Sequence, residues 1–165
     1  MIVKRETLRV QSTGMRPTFH NVTEQVKAAV ERSGVQNGVC VVCSHHTTCS
    51  VLIQEPSFDE TYTGLDYLQQ DLLDVLETII PTCRREGQYM HPGPKITEVA
   101  ASHGETKPMC LNTDAHLRSV LMGRSESIVI AEGRLDLGNF GQVYFVDLDQ
   151  TRARQREVQI QIIGE

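Results

Sequence analysis

The sequence predicts an α+β fold: a single domain over residues 1–165, mainly antiparallel and sandwich-like in its sheet, with a few helices. Three observations lead there. Helical patterns dominate the first two thirds of the chain, whereas the last third is short strand patterns separated by Gly- or charge-bearing turns. The 165 residues are 39% hydrophobic and 22% charged, an ordinary balance for one buried core. No repeat, low-complexity tract or linker divides the chain.

Residues 1–10, rich in Val, Thr, Leu and Arg, read as an edge strand. Asn21-Val22-Thr23-Glu24 is a helix start, with Glu three residues after Asn. Val22, Val26, Ala29 and Val30 then recur at helical spacing, and Ser33-Gly34 closes the helix. Val39–Cys43 is a continuous apolar run and reads as a strand buried on both faces. Ser44-His45-His46-Thr47-Thr48 interrupts it before Val51-Leu52-Ile53 resumes as a strand. Gly64–Ile80 is the clearest helix: Leu65, Leu68, Leu72, Val75, Leu76 and Ile79 share one stripe. Residues 81–111 hold four of the six prolines and read as a long loop. Thr113–Met122 is a short helix, capped by Asn112 or Thr113 and closed by Gly123. Ser127–Ala131, Arg134–Leu137, Gln142–Leu148 and Glu157–Ile163 follow as strands.

A net charge of −5 gives the chain no global attraction to nucleic acid or anionic membrane. No apolar run reaches the roughly 18–20 residues of a membrane helix, and the first residues lack a signal-peptide core. Five cysteines cannot all pair within one chain, which suits a reducing compartment. The expectation is a cytoplasmic protein without nucleic-acid or membrane partners.

Six histidines are the first candidates for chemistry. In extended backbone His45 and His46 point to opposite faces, so one site would take one of them. His46 follows a buried strand and precedes Thr47 and Thr48, whose hydroxyls and amides suit an anion. His116 lies in the first turn of a helix, which favours a neutral ring. His91 sits in the Tyr89-Met90-His91-Pro92-Gly93 loop. Three neutral imidazoles with one open position match a catalytic zinc site, although no short ligand motif is present.

Cys40 and Cys43 form a lone CxxC without the second pair of a zinc ribbon and read as buried thiols. Cys49 lies nearest the proposed site. Glu55 ends the strand after the His-Thr-Thr turn. Asp71 flanks the apolar stripe of the long helix and either orients a histidine or is a surface charge. Asp66, Asp74 and Glu77 lie further round that helix and read as solvated. Arg152, Arg154 and Arg156, at spacing two, either meet an anion or pair with Asp147 and Asp149.

These residues occur in an ordered set: His46-Thr47-Thr48, Tyr89-x-His91, Asn112-x-x-Ala115-His116-Leu117, Gly123-x-Ser125, Gly133-x-Leu135-x-Leu137-Gly138 and Arg154-x-Arg156. Together they resemble the YjbQ-like family, some of whose members carry the description secondary thiamine-phosphate synthase. The resemblance covers nearly the whole chain. It implies a compact α+β homotrimer with a pocket for metal or anion formed by His46, His91 and His116. It carries acidic positions onto Glu55 and Asp71 and late arginines onto Arg154 and Arg156. The chain departs from the family where Gly138-Asn139-Phe140-Gly141 replaces a Gly-Thr-Trp-Gln stretch. Gln54 stands where Asn is frequent, and the segment from His91 to Asn112 is longer and carries His103.

The leading functional expectation is a small-molecule enzyme with a His-lined, phosphate-binding pocket, of thiamine-phosphate synthase type. Thr47, Thr48, Asn112, Arg154 and Arg156 would bind a phosphorylated small molecule, and His46, Glu55 and Asp71 would carry catalysis. One alternative is a zinc-dependent hydrolase held by His46, His91 and His116; another is a non-enzymatic ligand-binding trimer. Val143, Phe145 and Val146 offer apolar area for the trimer interface.

Overall fold

A computed structural model describes residues 1–165. In chain order its elements are β1 (Ile2–Gln11), β2 (Thr18–Asn21), α1 (Thr23–Ser33), β3 (Gly38–Ser44), β4 (Cys49–Gln54), α2 (Tyr67–Ile79) and α3 (Pro94–Ser102). A 3-10 turn (Lys107–Cys110), α4 (Thr113–Met122), β5 (Ser125–Ala131), β6 (Arg134–Leu135), β7 (Gln142–Asp147) and β8 (Gln155–Gly164) complete it. Every strand pairing is antiparallel. A five-stranded sheet has the order β1-β8-β3-β5-β6 and a three-stranded sheet the order β2-β7-β4. The α+β, sandwich-like architecture is therefore the one the sequence predicts.

The sheets share one core. Cys40, Val42, Ile128, Ile130, Val158, Ile160 and Ile162 face Cys49, Val51, Val143 and Phe145 across it, and α1 adds Val22, Val26, Ala29 and Val30. The expected cap is shifted by one residue: Val22 occupies the N-cap position of α1, and the Asn21 carboxamide oxygen just before it accepts from the Thr23 amide and hydroxyl. Gly34 ends it at φ 75°, a conformation glycine adopts without a Cβ penalty. Behind the three-stranded sheet, Tyr144, Val146 and Leu148 pack against Ala115 of α4. Strand β7 is thus buried on both faces, and Val143, Phe145 and Val146 are core residues rather than interface area.

Other expectations are corrected. Strand β3 alternates instead of burying both faces: Cys40 and Val42 point inward while Val39 is exposed. Residues 81–111 are not one loop, because Pro94 occupies the first turn of α3 and Pro108 the start of the 3-10 turn. Proline is pre-organised for these positions, where a missing N–H leaves no helical bond unmade. Asp66 is not merely solvated. It caps α2 in a capping box with Gln69 and also accepts from the Ser57 amide. Partial burial works against its charge, but these donors hold its carboxyl below the ordinary value.

Helix α4 inverts the usual pattern. Its buried face is Thr113, Asp114, Ala115, Arg118 and Ser119, while Leu117, Val120 and Leu121 are exposed. Arg118 donates to the Ile80 carbonyl at the C-terminus of α2 and to Glu77, so it satisfies a helix end that has no further turn. Glu77 also accepts from the Thr82 amide and hydroxyl, so it too is a structural partner. The stripe on α2 is only partly covered: Leu65 and Leu76 are buried, but Val75 and Ile79 are exposed. No helix is long and apolar enough to cross a membrane.

Candidate functional site

Two chain crossings between the sheets meet at one end of the sandwich. The Ser44–Thr48 turn carries the chain from β3 to β4, and residues 148–154 carry it from β7 to β8. The first turn is fixed by its own side chains: the His46 amide donates to Ser44 Oγ, and the Cys49 amide to the His46 carbonyl. Between these crossings, the start of α4 and the α3 segment lies a cavity of about 470 Å³. Its lining includes His45, His46, Thr47, Thr48, His91, His103, Asn112, His116, Arg154 and Arg156. The structure thus brings together His46, His91 and His116, which lie far apart in sequence. His45 joins them because the backbone at that point is a turn, not extended strand.

The floor is an ion-pair ladder. Arg156 donates from Nε and Nη2 to both oxygens of Asp147, at 2.7 and 3.0 Å, and from Nη2 to Thr48 Oγ1 at 3.1 Å. Arg154 Nη2 lies 3.3 Å from Asp149 Oδ2. Arg152 pairs with Glu105. Of the two readings open for these arginines, pairing within the chain is the one seen. Arg156 and Asp147 are both buried, so Arg156 is a buttress rather than a free anion contact. Asn112 likewise donates to Asp149 Oδ2 at 3.2 Å and orients that carboxylate. Arg154 differs: its Nε is buried and has no hydrogen-bond partner. Burial lowers its guanidinium pKa, with Asp149 opposing.

The imidazoles are individually held. His46 Nε2 accepts from the Glu157 amide at 3.0 Å, so its lone pair is engaged and the neutral ring carries its proton on Nδ1. His91 Nδ1 lies 3.0 Å from Thr113 Oγ1, whose own proton goes to the His91 carbonyl at 2.6 Å. His91 Nδ1 must therefore donate, leaving Nε2 with the lone pair. The His91 and His116 rings meet edge to face with centroids 5.4 Å apart. Burial, then the neighbouring His91, lowers the pKa of His116, against a hydrogen bond to the Thr47 backbone. His46 is lowered by burial and next by Arg156.

His46, His91 and His116 are the residues expected to hold zinc, and the structure lines one cavity with all three. No three His, Cys, Asp or Glu side chains are grouped as a ligand set, and the His46 Nε2 lone pair is already bonded. Glu55 and Asp71 do not reach the cavity; both are exposed elsewhere on the chain. Cys49 is buried against Asp147, and its thiol is pushed up to about 12, chiefly by burial, which leaves it inert. Sequence reasoning missed Glu105, Met109, Ile96 and Val99 as lining residues, because the prolines around them masked α3. It also missed the buried Arg118.

With this geometry in view, comparison with known proteins identifies the relatives. The family model for UPF0047 protein YjbQ-like matches residues 6–165. The chain belongs to the YjbQ-like family. A UPF0047 protein of Synechocystis is 31% identical over 148 residues, 90% of this chain and 84% of its own. One from Methanothermobacter thermautotrophicus is 29% identical over 148 residues, covering 90% and 85%. A crystal structure of an uncharacterised YjbQ/UPF0047 protein from Clostridium acetobutylicum superposes with a TM-score of 0.69 at 30% identity. It covers 97% of this chain and 99% of its own. These YjbQ-like relatives share the fold, and their names assign no activity.

Two predictions follow from the site's electrostatics. Arg156→Ala leaves Asp147 buried and unpaired and should lower unfolding free energy in urea by about 3–5 kcal/mol. Arg154→Ala should cost only about 1–2 kcal/mol, since Asp149 keeps Thr151 and Asn112. Equal costs would show that Arg156 is not the buttress. The second prediction concerns pH. His20, His46 and His116 all titrate below the ordinary 6.5 in the fold, burial being the main cause. The unfolded chain therefore takes up protons first as pH falls through 6.5, and stability that is complete above that value declines below it. The urea midpoint should drop between pH 7.5 and pH 5.5; a flat or rising midpoint would contradict these assignments.

Proposed function

We propose that the cavity binds the phosphoryl or pyrophosphoryl group of a small molecule. Arg154 is its cation; the His46 Nδ1–H and the Thr47 hydroxyl are its neutral donors. The observation that carries this reading is the buried, unpartnered Nε of Arg154, a residue that lines a cavity together with five histidines. A buried donor without an acceptor is costly, and an oxyanion supplies the missing acceptor with charge assistance. Arg152, Arg154 and Arg156 are each paired with a carboxylate, so affinity rests on aimed donors more than on net charge.

As an enzyme the site suits a reaction that expels a phosphorylated leaving group. Arg154 would stabilise the developing charge, and the adjoining His91 and His116 would move the proton. The thiamine-phosphate synthase-type reaction implied by the family resemblance is of this kind. The zinc-hydrolase reading has less behind it, because no three His, Cys, Asp or Glu side chains are grouped as a ligand set and Glu55 and Asp71 lie outside the cavity. Calorimetry with inorganic pyrophosphate tests the reading. Folded Arg154→Ala should bind it about 10- to 100-fold more weakly than the unaltered protein, the loss of one charge-assisted bond. Unchanged affinity would overturn the proposal.

We also propose the trimer that the resemblance implies, with its contacts relocated. Val3, Ile163, Val39 and Val129 stand in register as one exposed row across β1, β8, β3 and β5. Leu117, Val120 and Leu121 form a second exposed apolar face on α4, with Val120 at 79% exposure. A cyclic trimer joins two different patches, and two are available. Light scattering should give about three times the 18.5 kDa chain mass and a lower mass for Val120→Asp. A monomeric unaltered protein would contradict this assembly.

A further inference from the structure

One wall of the cavity has a chemistry that an anion alone does not use. Ile96, Val99, Ala100 and His103 recur at i, i+3, i+4 and i+7, so they share one face of α3 and its C-terminal cap. All four line the cavity, together with Met109 and Cys110 of the 3-10 turn. Ile96 is 43% exposed and Val99 52%, although both are apolar. The opposite side of α3, with Thr97, Glu98 and Ala101, lines a separate hollow. The helix is therefore amphipathic, and its apolar stripe is turned to the cavity rather than to the core.

The wall is also held in place. The Glu105 amide donates to the Ala100 carbonyl and closes the helix end. Thr151 Oγ1 lies 3.3 Å from the Met109 carbonyl, and Arg152 pairs with Glu105 and lies 2.9 Å from Met109 Sδ. Arg152 and Thr151 belong to the same short crossing as Arg154. The apolar wall and the cation are thereby fixed to one stretch of backbone. The Glu105 carboxylate, the negative group on this side, is neutralised by Arg152.

We propose that this face of α3 selects the organic part of the ligand, so that the cavity prefers a phosphomonoester bearing a compact apolar or aromatic group over inorganic phosphate. The proposal rests on the phosphate-binding reading above and adds the class of the substituent. Ile96 and Val99 are specificity-determining contacts, and Arg154 remains the contact to the phosphoryl group. Burying even a small apolar increment in such a pocket changes affinity by about 10- to 200-fold.

Calorimetry with phenyl phosphate and inorganic phosphate, on the full chain, tests it. The unaltered protein should bind phenyl phosphate at least about tenfold more tightly than inorganic phosphate. An Ile96→Ser, Val99→Ser double variant should lose most of that preference and keep its affinity for inorganic phosphate. Both positions are exposed, so the variant should fold, and circular dichroism checks this. Binding of both ligands with no preference, or a preference that survives in the double variant, overturns the proposal and leaves the phosphate reading standing. Binding of neither ligand overturns both.

Discussion

The buried pair between Asp147 and Arg156 is the interaction on which the rest of the site depends. Asp147 ends β7 in the three-stranded sheet, and Arg156 lies near the start of β8 in the five-stranded sheet. The pair therefore ties the two sheets together at the end where the chain crosses between them. The same guanidinium holds Thr48, and the next residue's amide holds His46. A buried carboxylate is stable only when its oxygens are answered, and Asp147 is answered by Arg156, the Asp149 amide and the Cys49 thiol. Because Arg156 is bonded there through Nε and Nη2, Arg154 is the cavity-lining arginine left with a buried, unpartnered donor.

This arrangement separates support from function among residues that look alike in sequence. Arg152, Arg154 and Arg156 each meet a carboxylate, yet one fastens the α3 wall, one faces the cavity and one joins the sheets. The histidines divide in the same way. His46 has its Nε2 lone pair engaged by backbone, whereas His91 presents a free one. His46 thus has an Nδ1–H to offer an oxyanion, whereas His91 has an Nε2 lone pair that can accept a proton.

Much of the fold was legible because local and global signals agree. The apolar spacing in α1 buries Val22, Val26, Ala29 and Val30, and the alternation of Val158, Ile160 and Ile162 places them in the core. The three histidines were legible as a set through the family resemblance: His46 and His91 lie in connections between elements and His116 in the first turn of α4. Spacing could not show that two of the four prolines in residues 81–111, Pro94 and Pro108, open a helix and a 3-10 turn, since proline starts helices as readily as it stops them. Nor could it show that α4 buries Arg118 and Ser119 while exposing Leu117 and Val120. There the helix packs by hydrogen bonds to Ile80 and Cys49, and its apolar residues are left outside for another surface. Glu55 and Asp71 were chosen for their neighbours in sequence, and the fold sends both away from the cavity.

The central claim is that one cavity gathers the imidazoles and Arg154 around an oxyanion. Ring-nitrogen NMR of the histidines during titration with inorganic phosphate tests it most directly. The account predicts that His46, His91 and His116 shift together along one saturable curve. His20, half-buried beside Phe145 and outside the cavity, should stay fixed. Resonances that do not saturate, or shifts limited to the exposed His45, would contradict it.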